Sequence, residues 1–559
     1  MVVSGASCGV RRTVLAHVAA ILQVPAADLD EHASFSALGV DSLSASRLAR
    51  ALGDELGAPV PVIALYEHAT IAQLAEHLGR PTNGAGAPAS LPAQAGERDE
   101  PIAIVGMSCR LPMADGLDAF WRVLAGGVDC VRDIPDERWD VAALYDPTGR
   151  TPKSTITRSA ALLDRVDLFE PEFFGLSPRE AIHVDPQQRV MLELAWEALE
   201  CAGLPPDGLR GRPVGVFVGG MAVDYGELMW NANAVNASYG PGAALTLLSN
   251  RISYLFRFSG PSLTVDTACA SSLTALHLAC HSLRRREAEL ALAGGIILHL
   301  RPHGFVTMSR LGALAPDGRS KAFSAAANGY GRGEGGGLVV LKRLADARRD
   351  GDVIHAIVRG SAINHNSTSN GITAPNPRAQ AAVLRDAWAR AGASPADAAY
   401  VEAHGTGTAL GDPLEAEALG QVFGAGRAPG DPLIIGSSKP NIGHTETAAG
   451  VAGLIKVVLA MRHRTIPPSI HAEPPNPLIP FDDWRLRVPA AAVPWPSGRR
   501  LAGVSAFGFG GANAHVVVES TAVEPVHVLA VSAPDAAALD ARIDEILTRG
   551  AASGDAGDG

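Results

Sequence analysis

The stretch VDTACASSL, residues 265–273, sets a lone cysteine, Cys269, between two alanines where an apolar run gives way to a helix-like run. A thiol at a strand-to-helix junction faces the free N–H groups of the helix start, which favour the nucleophilic thiolate. The same pattern also fits a packing cysteine, so the thiol alone does not decide. Two histidines bear on the choice. VEAHGTGTALGDPLE ends a strand at His404, and SSKPNIGHTETAAGVAGLIKVVLAM places His444 at the start of a long apolar helix. In a layered α/β fold such strand ends and helix starts gather on one edge. A helix N-terminus disfavours imidazolium, so His444 is expected to stay neutral and donate an N–H. Two neutral donors aimed at one carbonyl oxygen would stabilise an enolate, and losing one typically costs about 3–4 kcal/mol of barrier.

A separate candidate lies near the N-terminus. LGVDSLSASRLARAL puts Ser42 at the start of an amphipathic helix. Ser42 reads as an N-cap. It also reads as a place for a phosphodiester, because a helix N-terminus offers free N–H groups and a favourable dipole to an anion.

These residues need elements to hold them. The chain has 559 residues, 47 % of them apolar and only 19 % charged. That predicts two to four domains with a large core. Residues 81–100, PTNGAGAPASLPAQAGERDE, read as a linker. Before it, residues 1–80 predict helices near 10–23, 42–57 and 70–79, a small bundle. After it, strands are expected at 101–108, 214–219, 261–266, 290–295, 337–342, 353–360, 399–403, 432–437, 501–506 and 514–519. Long apolar helices between them, such as 184–203 and 447–463, make residues 101–520 a layered α/β domain. Residues 521–559 add a strand-like VHVLAVSA and one helix, too little for a domain.

Composition excludes other classes. The net charge is −11 with no basic block, which argues against nucleic acid or an anionic membrane as partner. The six cysteines show no C-x-x-C spacing, which argues against zinc and disulfides and for a reducing cytoplasm. GRGEGG (331–336) precedes its strand instead of following one, so it is not a dinucleotide loop. GASCG (5–9) has no strand before it and makes no nucleophile elbow. Neither a nucleotide nor a metal is expected.

FSALGVDSLSASRLARAL resembles the attachment motif of acyl carrier proteins. The resemblance implies that Ser42 carries 4′-phosphopantetheine once a separate phosphopantetheinyl transferase has acted. VDTACASSL, VEAHGTGTALGDPLEAEAL, KPNIGHTETAAGVAGLIK, FGFGGANAHVVVE, PIAIVGMSCRLP and DPQQRVMLELAWEALE resemble type I polyketide ketosynthases in order and spacing. That implies a thiolase-like αβαβα fold, usually dimeric, in a cytoplasmic transferase. It implies that Cys269 takes an acyl chain from a carrier, in cis or in trans. His404 and His444 then assist decarboxylation of a malonyl-type extender, and the enolate attacks the acyl-Cys269 thioester. Lys439 matches a supporting lysine, Thr406 and Thr408 match pantetheine-binding threonines, and Phe509 matches an aromatic gate.

The match departs from the family at Ser324 and Asn328, where Asp is usual, and at Asn366 and Ser367, where Asp-Gly is common. Residues 521–559 are too few to hold an acyltransferase, so an extender is expected to come from a separate acyltransferase or not to be used. The second reading is therefore a ketosynthase that closes a ring within one tethered substrate, as in salinosporamide-type lactam–lactone formation. The third is a transacylating or docking module. A flexible linker of this length spans roughly 25 Å and at most about 70 Å. Tethering could then give an effective carrier concentration on the order of millimolar.

Overall fold

All ten runs expected as strands form strands, with ends shifted by a few residues: β1 Ile102–Leu111, β2 Val214–Gly219, β3 Ser262–Val265, β4 Leu290–Ile297, β5 Gly335–Arg343, β6 Ala356–His365, β7 Ala398–Glu402, β8 Leu433–Gly436, β9 Leu501–Phe507 and β10 Ala512–Ser520. The fold is taken from a computed structural model that describes residues 5–35, 37–40, 42–58, 60, 64–65, 68–79, 100–367, 371–521 and 540. The linker and nearly all of the C-terminal segment expected to hold a strand and a helix lie outside the described residues.

The strands join in a 12-stranded sheet with two short additions, Ala114–Asp115 beside β1 and Leu486–Arg487 beside β8. Its order contains a repeat that the sequence does not announce. The first half runs β3-β2-β4-β5-β1 and the second β8-β7-β9-β10-β6, the same pattern twice. In each half the three outer strands are parallel and the two inner ones antiparallel. The halves meet where β1 pairs antiparallel with β6.

The helices repeat as well. Helices α1 Gly5–Leu22, α2 Ser42–Leu56 and α3 Ile71–Leu78 belong to the N-terminal bundle. In the larger part, α4 Pro186–Cys201 follows β1 and α6 Pro377–Ala391 follows β6. Each opens on an Asx–Pro pair, Asp185–Pro186 and Asn376–Pro377, whose Asx side chain accepts main-chain N–H bonds at the helix start. α5 Ser271–Arg284 follows β3, and α7 Ala449–Arg462 follows β8. α5 and α7 pack on each other and on strands of both halves, whereas α4 packs on β1 and β5, and α6 on β6 and β10. The layers are therefore αβαβα, with α5 and α7 in the middle. Position in the middle layer explains why α7 is buried from Ala449 to Met461 with no polar face.

In the N-terminal bundle, Val14, Val18, Leu48, Leu52, Ile71 and Leu74 are fully buried. Val14 and Val18 sit at the centre of the buried α1 face, with Leu15 and Leu22 packed partly buried beside them. No described helix is long and apolar enough to cross a membrane.

Candidate active site

The repeat places the chemistry. Cys269 lies between β3 and α5, and His444 lies between β8 and α7, the equivalent point of the second half. His404 follows β7 after a single residue, Ala403. All three therefore sit at carboxyl ends of strands, on one edge of the layers. The Cys269 sulfur and one ring nitrogen of each histidine lie within 4.8 Å of one another. The two imidazole rings stand 5.3 Å apart, at 79°.

Each is held by main-chain geometry. Ala268, just before the cysteine, has φ 52°, in the left-handed region. That conformation costs about 1–3 kcal/mol for a residue with a Cβ. The turn is tied down by Ser271, whose Oγ accepts the Thr267 N–H at 2.9 Å and donates to the Ala268 carbonyl at 2.6 Å. The His404 loop hangs from two buried carboxylates. Glu415 accepts the His404 and Gly405 N–H groups, both at 2.7 Å, and Asp412 accepts those of Gly407 and Phe323. Burial pushes both carboxyls above their ordinary values. Gly407 is required there, since φ is +80° and a Cβ would sit 2.4 Å from the Lys321 main-chain nitrogen.

His444 is clamped by GRGEGG, the motif that fails as a dinucleotide loop. The His444 N–H donates to the Gly331 carbonyl at 2.7 Å, and its carbonyl accepts from Gly333 at 3.0 Å. Arg332, between them, makes a buried ion pair with Glu446 at 2.7 Å. Gly443 precedes the histidine at φ +67°, and a Cβ there would lie 2.7 Å from the Arg332 carbonyl. His444 precedes a short 3₁₀ turn, Glu446–Ala448, rather than opening the long helix. Its tautomer is set locally: the Glu446 N–H donates to His444 Nδ1 at 3.0 Å, so the ring proton resides on Nε2. Burial, then the Lys439 charge, push both imidazoles well below their ordinary value. Both are neutral at pH 7.

The thiol departs from expectation. Burial, then the Glu446 carboxylate, push Cys269 up to about 12, while Lys439 and the main-chain N–H groups of Phe509 and Cys269 pull the other way. The helix-start effect is outweighed by desolvation, so the resting group is a thiol and not a thiolate. The two amides that face the sulfur were not foreseen from the sequence.

Cys269, His404, His444, Thr406, Thr408 and Phe509 line one cavity of about 410 Å³. Phe509 is 47 % exposed, at its mouth. Lys439 lies buried outside the lining and acts on all three reacting groups through its charge. Of the departures from the family pattern, Asn328 and Asn366 line this cavity, whereas Ser324 is buried elsewhere and donates to the Pro474 carbonyl at 3.2 Å. Ser367 carries φ 56°, the strain that a glycine would avoid. Ser42 opens α2, with no acidic residue in the first turn to repel a phosphodiester, and the helix start fits that group. The Ser42 side chain is outside the described residues.

A five-layer thiolase-like fold with a cysteine and two histidines at these strand ends is that of a ketosynthase. The chain belongs to the β-ketoacyl synthase family: residues 99–347 match its N-terminal domain and residues 355–473 its C-terminal domain. Residues 475–549 match the ketoacyl-synthetase C-terminal extension, and residues 12–78 the phosphopantetheine attachment site, so a covalent phosphopantetheine carrier precedes the ketosynthase. The chain is 48 % identical over 497 residues to a phenolphthiocerol/phthiocerol polyketide synthase component of Mycobacterium tuberculosis, covering 88 % of this chain and 26 % of that protein. It is 46 % identical over 552 residues to the pikromycin polyketide synthase component PikAII of Streptomyces venezuelae, covering 95 % and 15 %. Among solved structures, an oxazolomycin ketosynthase domain from Streptomyces albus matches with a TM-score of 0.73 at 41 % identity, covering 78 % of this chain and 79 % of that one. The chain thus spans about a quarter or less of the length of these two synthases.

Proposed function

We propose that residues 101–520 form carbon–carbon bonds by decarboxylative Claisen condensation, fed by carriers that include residues 1–80. The observation that carries this is the thiol within 4.8 Å of two imidazole nitrogens in an open cavity. Phosphopantetheine on Ser42 would supply a flexible thiol that presents acyl groups as thioesters. Cys269 Sγ attacks the incoming thioester carbonyl, its proton passing to the departing carrier thiol. The N–H groups of Cys269 and Phe509 that face the sulfur stabilise the carbonyl oxygen as it gains charge. His404 and His444 then donate to the thioester oxygen of a malonyl-type substrate. As carbon dioxide leaves, the enolate they hold attacks the acyl-Cys269 carbonyl. The β-keto product departs and the cysteine thiolate takes a proton. Thr406 and Thr408, at the cavity wall, position the pantetheine arm. The enzyme is thereby an acyltransferase of the β-ketoacyl synthase type.

A second reading, ring closure within one carrier-bound substrate, draws support from the uncharged Asn328 and Asn366 in the cavity wall. Omission of malonyl-carrier separates the two. Condensation requires it and releases one carbon dioxide per product. Cyclisation proceeds without it, and a module that only shuttles acyl groups makes no carbon–carbon bond either way. Product mass spectrometry with and without malonyl-carrier reads all three.

The ketosynthase domain would assemble as a homodimer along β3. That strand is the sheet edge, with β2 on one side only, and Leu263 and Tyr254 are 47 % and 79 % exposed. An open apolar edge is a pairing surface unless covered. Leu263→Arg is expected to halve the mass measured by light scattering, and an unchanged mass would place the interface elsewhere.

A further inference from the structure

β6, β9 and β10 end beside the cavity. Asn513 on β10 stands opposite Phe507 on β9 and opposite Asn364 on β6. Phe507 is itself 5.7 Å from the His404 ring, which brings this edge close to the reacting groups.

The orientation of Asn513 follows from its neighbours. Asn364 Nδ2 donates to the Ala379 carbonyl at 2.8 Å, and Asn366 Nδ2 donates to the Ala374 carbonyl at 3.2 Å. A main-chain carbonyl only accepts, so each of these amides must turn its nitrogen toward that carbonyl and its oxygen away. Both oxygens then accept from the same group, Asn513 Nδ2, at 2.9 and 2.8 Å. With its nitrogen committed twice, Asn513 presents Oδ1 on the other side of the amide. That oxygen has no partner among the described residues, although Asn513 is 1 % exposed and lines the cavity. Gln380, near the start of α6, repeats the situation. It is 2 % exposed, lines the same cavity, and its Oε1 also lacks a partner among the described residues.

A buried carbonyl oxygen without a donor is costly, and a site built around one favours an occupant that supplies the missing hydrogen. We propose that Asn513 and Gln380 form an acyl-chain subsite selecting substrates that carry a neutral hydrogen-bond donor, a hydroxyl or a secondary amide N–H, in the chain attached to Cys269. The donor is neutral because the ladder itself is. Asn366 takes the place where the resemblance gives an aspartate, so no carboxylate lies in the ladder to pair with an ammonium. Asn366 thus contributes by fixing Asn513 rather than by touching the chain. The subsite rests on the ketosynthase reading, since it concerns the chain held at Cys269.

The test uses the full chain with Cys269→Ala, which binds acyl-pantetheine thioesters without reacting. Two isosteric pairs serve as probes in calorimetry: a hydroxyacyl thioester against its deoxy analogue, and an amide-bearing acyl thioester against the ester of the same shape. At least tenfold tighter binding of the donor-bearing member in either pair is expected, and the pair that shows it names the donor. Gln380→Met should narrow that ratio at least threefold. Equal affinities in both pairs overturn the subsite, and this comparison needs no variant of the ladder. Parallel mass spectrometry of the unaltered chain separates the two readings. Acylation of Cys269 without a binding preference leaves the ketosynthase and removes the subsite. A preference without acylation leaves a donor-selective cavity but overturns its role toward a chain on Cys269 together with the ketosynthase reading, and no binding at all removes both.

Discussion

A Cys269→Ala chain is expected to gain no acyl mass in the ketosynthase domain when incubated with acyl-carriers that load the unaltered protein. The scale of the loss is that of removing a catalytic nucleophile, about six orders of magnitude in rate. Among the cysteines whose side chains are described, no other can substitute. Cys109, Cys130 and Cys280 are buried, and Cys201 faces His355 at 3.7 Å, outside the cavity. The same thiol predicts an unusual labelling profile. With its proton held up to about 12, iodoacetamide alkylation of Cys269 should climb steadily with pH and show no plateau near the ordinary thiol value. Glu446→Gln removes the carboxylate that acts on the sulfur and leaves the main-chain N–H to His444 in place. Alkylation at pH 8 should then quicken, because the thiol loses a carboxylate that raises its pKa. An unchanged profile would mean that Glu446 does not act on the thiol. Acyl loading of the Cys269→Ala domain at the native rate would remove the thioester mechanism altogether.

Much of this frame is legible in the residues because strands buried on both faces read as unbroken apolar runs. β4, LALAGGII, is buried at every position, and its limits are readable within two residues. Side-by-side order is another matter. Nothing along the chain says that β2 lies between β3 and β4, or that the pattern recurs from β6 onward. Those facts depend on which faces the middle helices α5 and α7 share, and that is settled only when both halves pack. The site shows the same division. Cys269, His404 and His444 stand out by type and by position at strand ends. Their electrostatics do not, because they arise from residues far apart in sequence. Glu446 sits in what reads as the start of an apolar helix, yet it pairs with Arg332 more than a hundred residues earlier. GRGEGG is distinguishable from a nucleotide loop by its order relative to β5, but its use as a clamp on His444 emerges only from the folded approach to that strand. The thiolate expectation fails for a related reason. Helix-start amides are local and can be read from the pattern, whereas burial is a property of the whole fold and is the larger effect here.

His444→Ala should lower decarboxylation of malonyl-carrier by about two to three orders of magnitude, the usual consequence of losing one oxyanion donor. The tautomer makes the reason specific. Nδ1 is occupied by the Glu446 N–H, so Nε2–H is the only donor that the ring can offer to a thioester oxygen. Self-acylation of Cys269 should fall far less, because the sulfur and the N–H groups of Cys269 and Phe509 stay in place. That split, slow decarboxylation beside near-normal loading, is a readout that mere misfolding would not give. The pH dependence follows with a definite sign. Burial and the Lys439 charge hold both imidazoles well below their ordinary value, so neither gains a proton as pH falls from 8 to 6. Decarboxylation should therefore be flat across that window, measured as carbon dioxide release. A rate that rises or falls tenfold between pH 8 and pH 6 would mean that an imidazolium takes part, and the enolate would then be held by a charged group instead of two neutral donors.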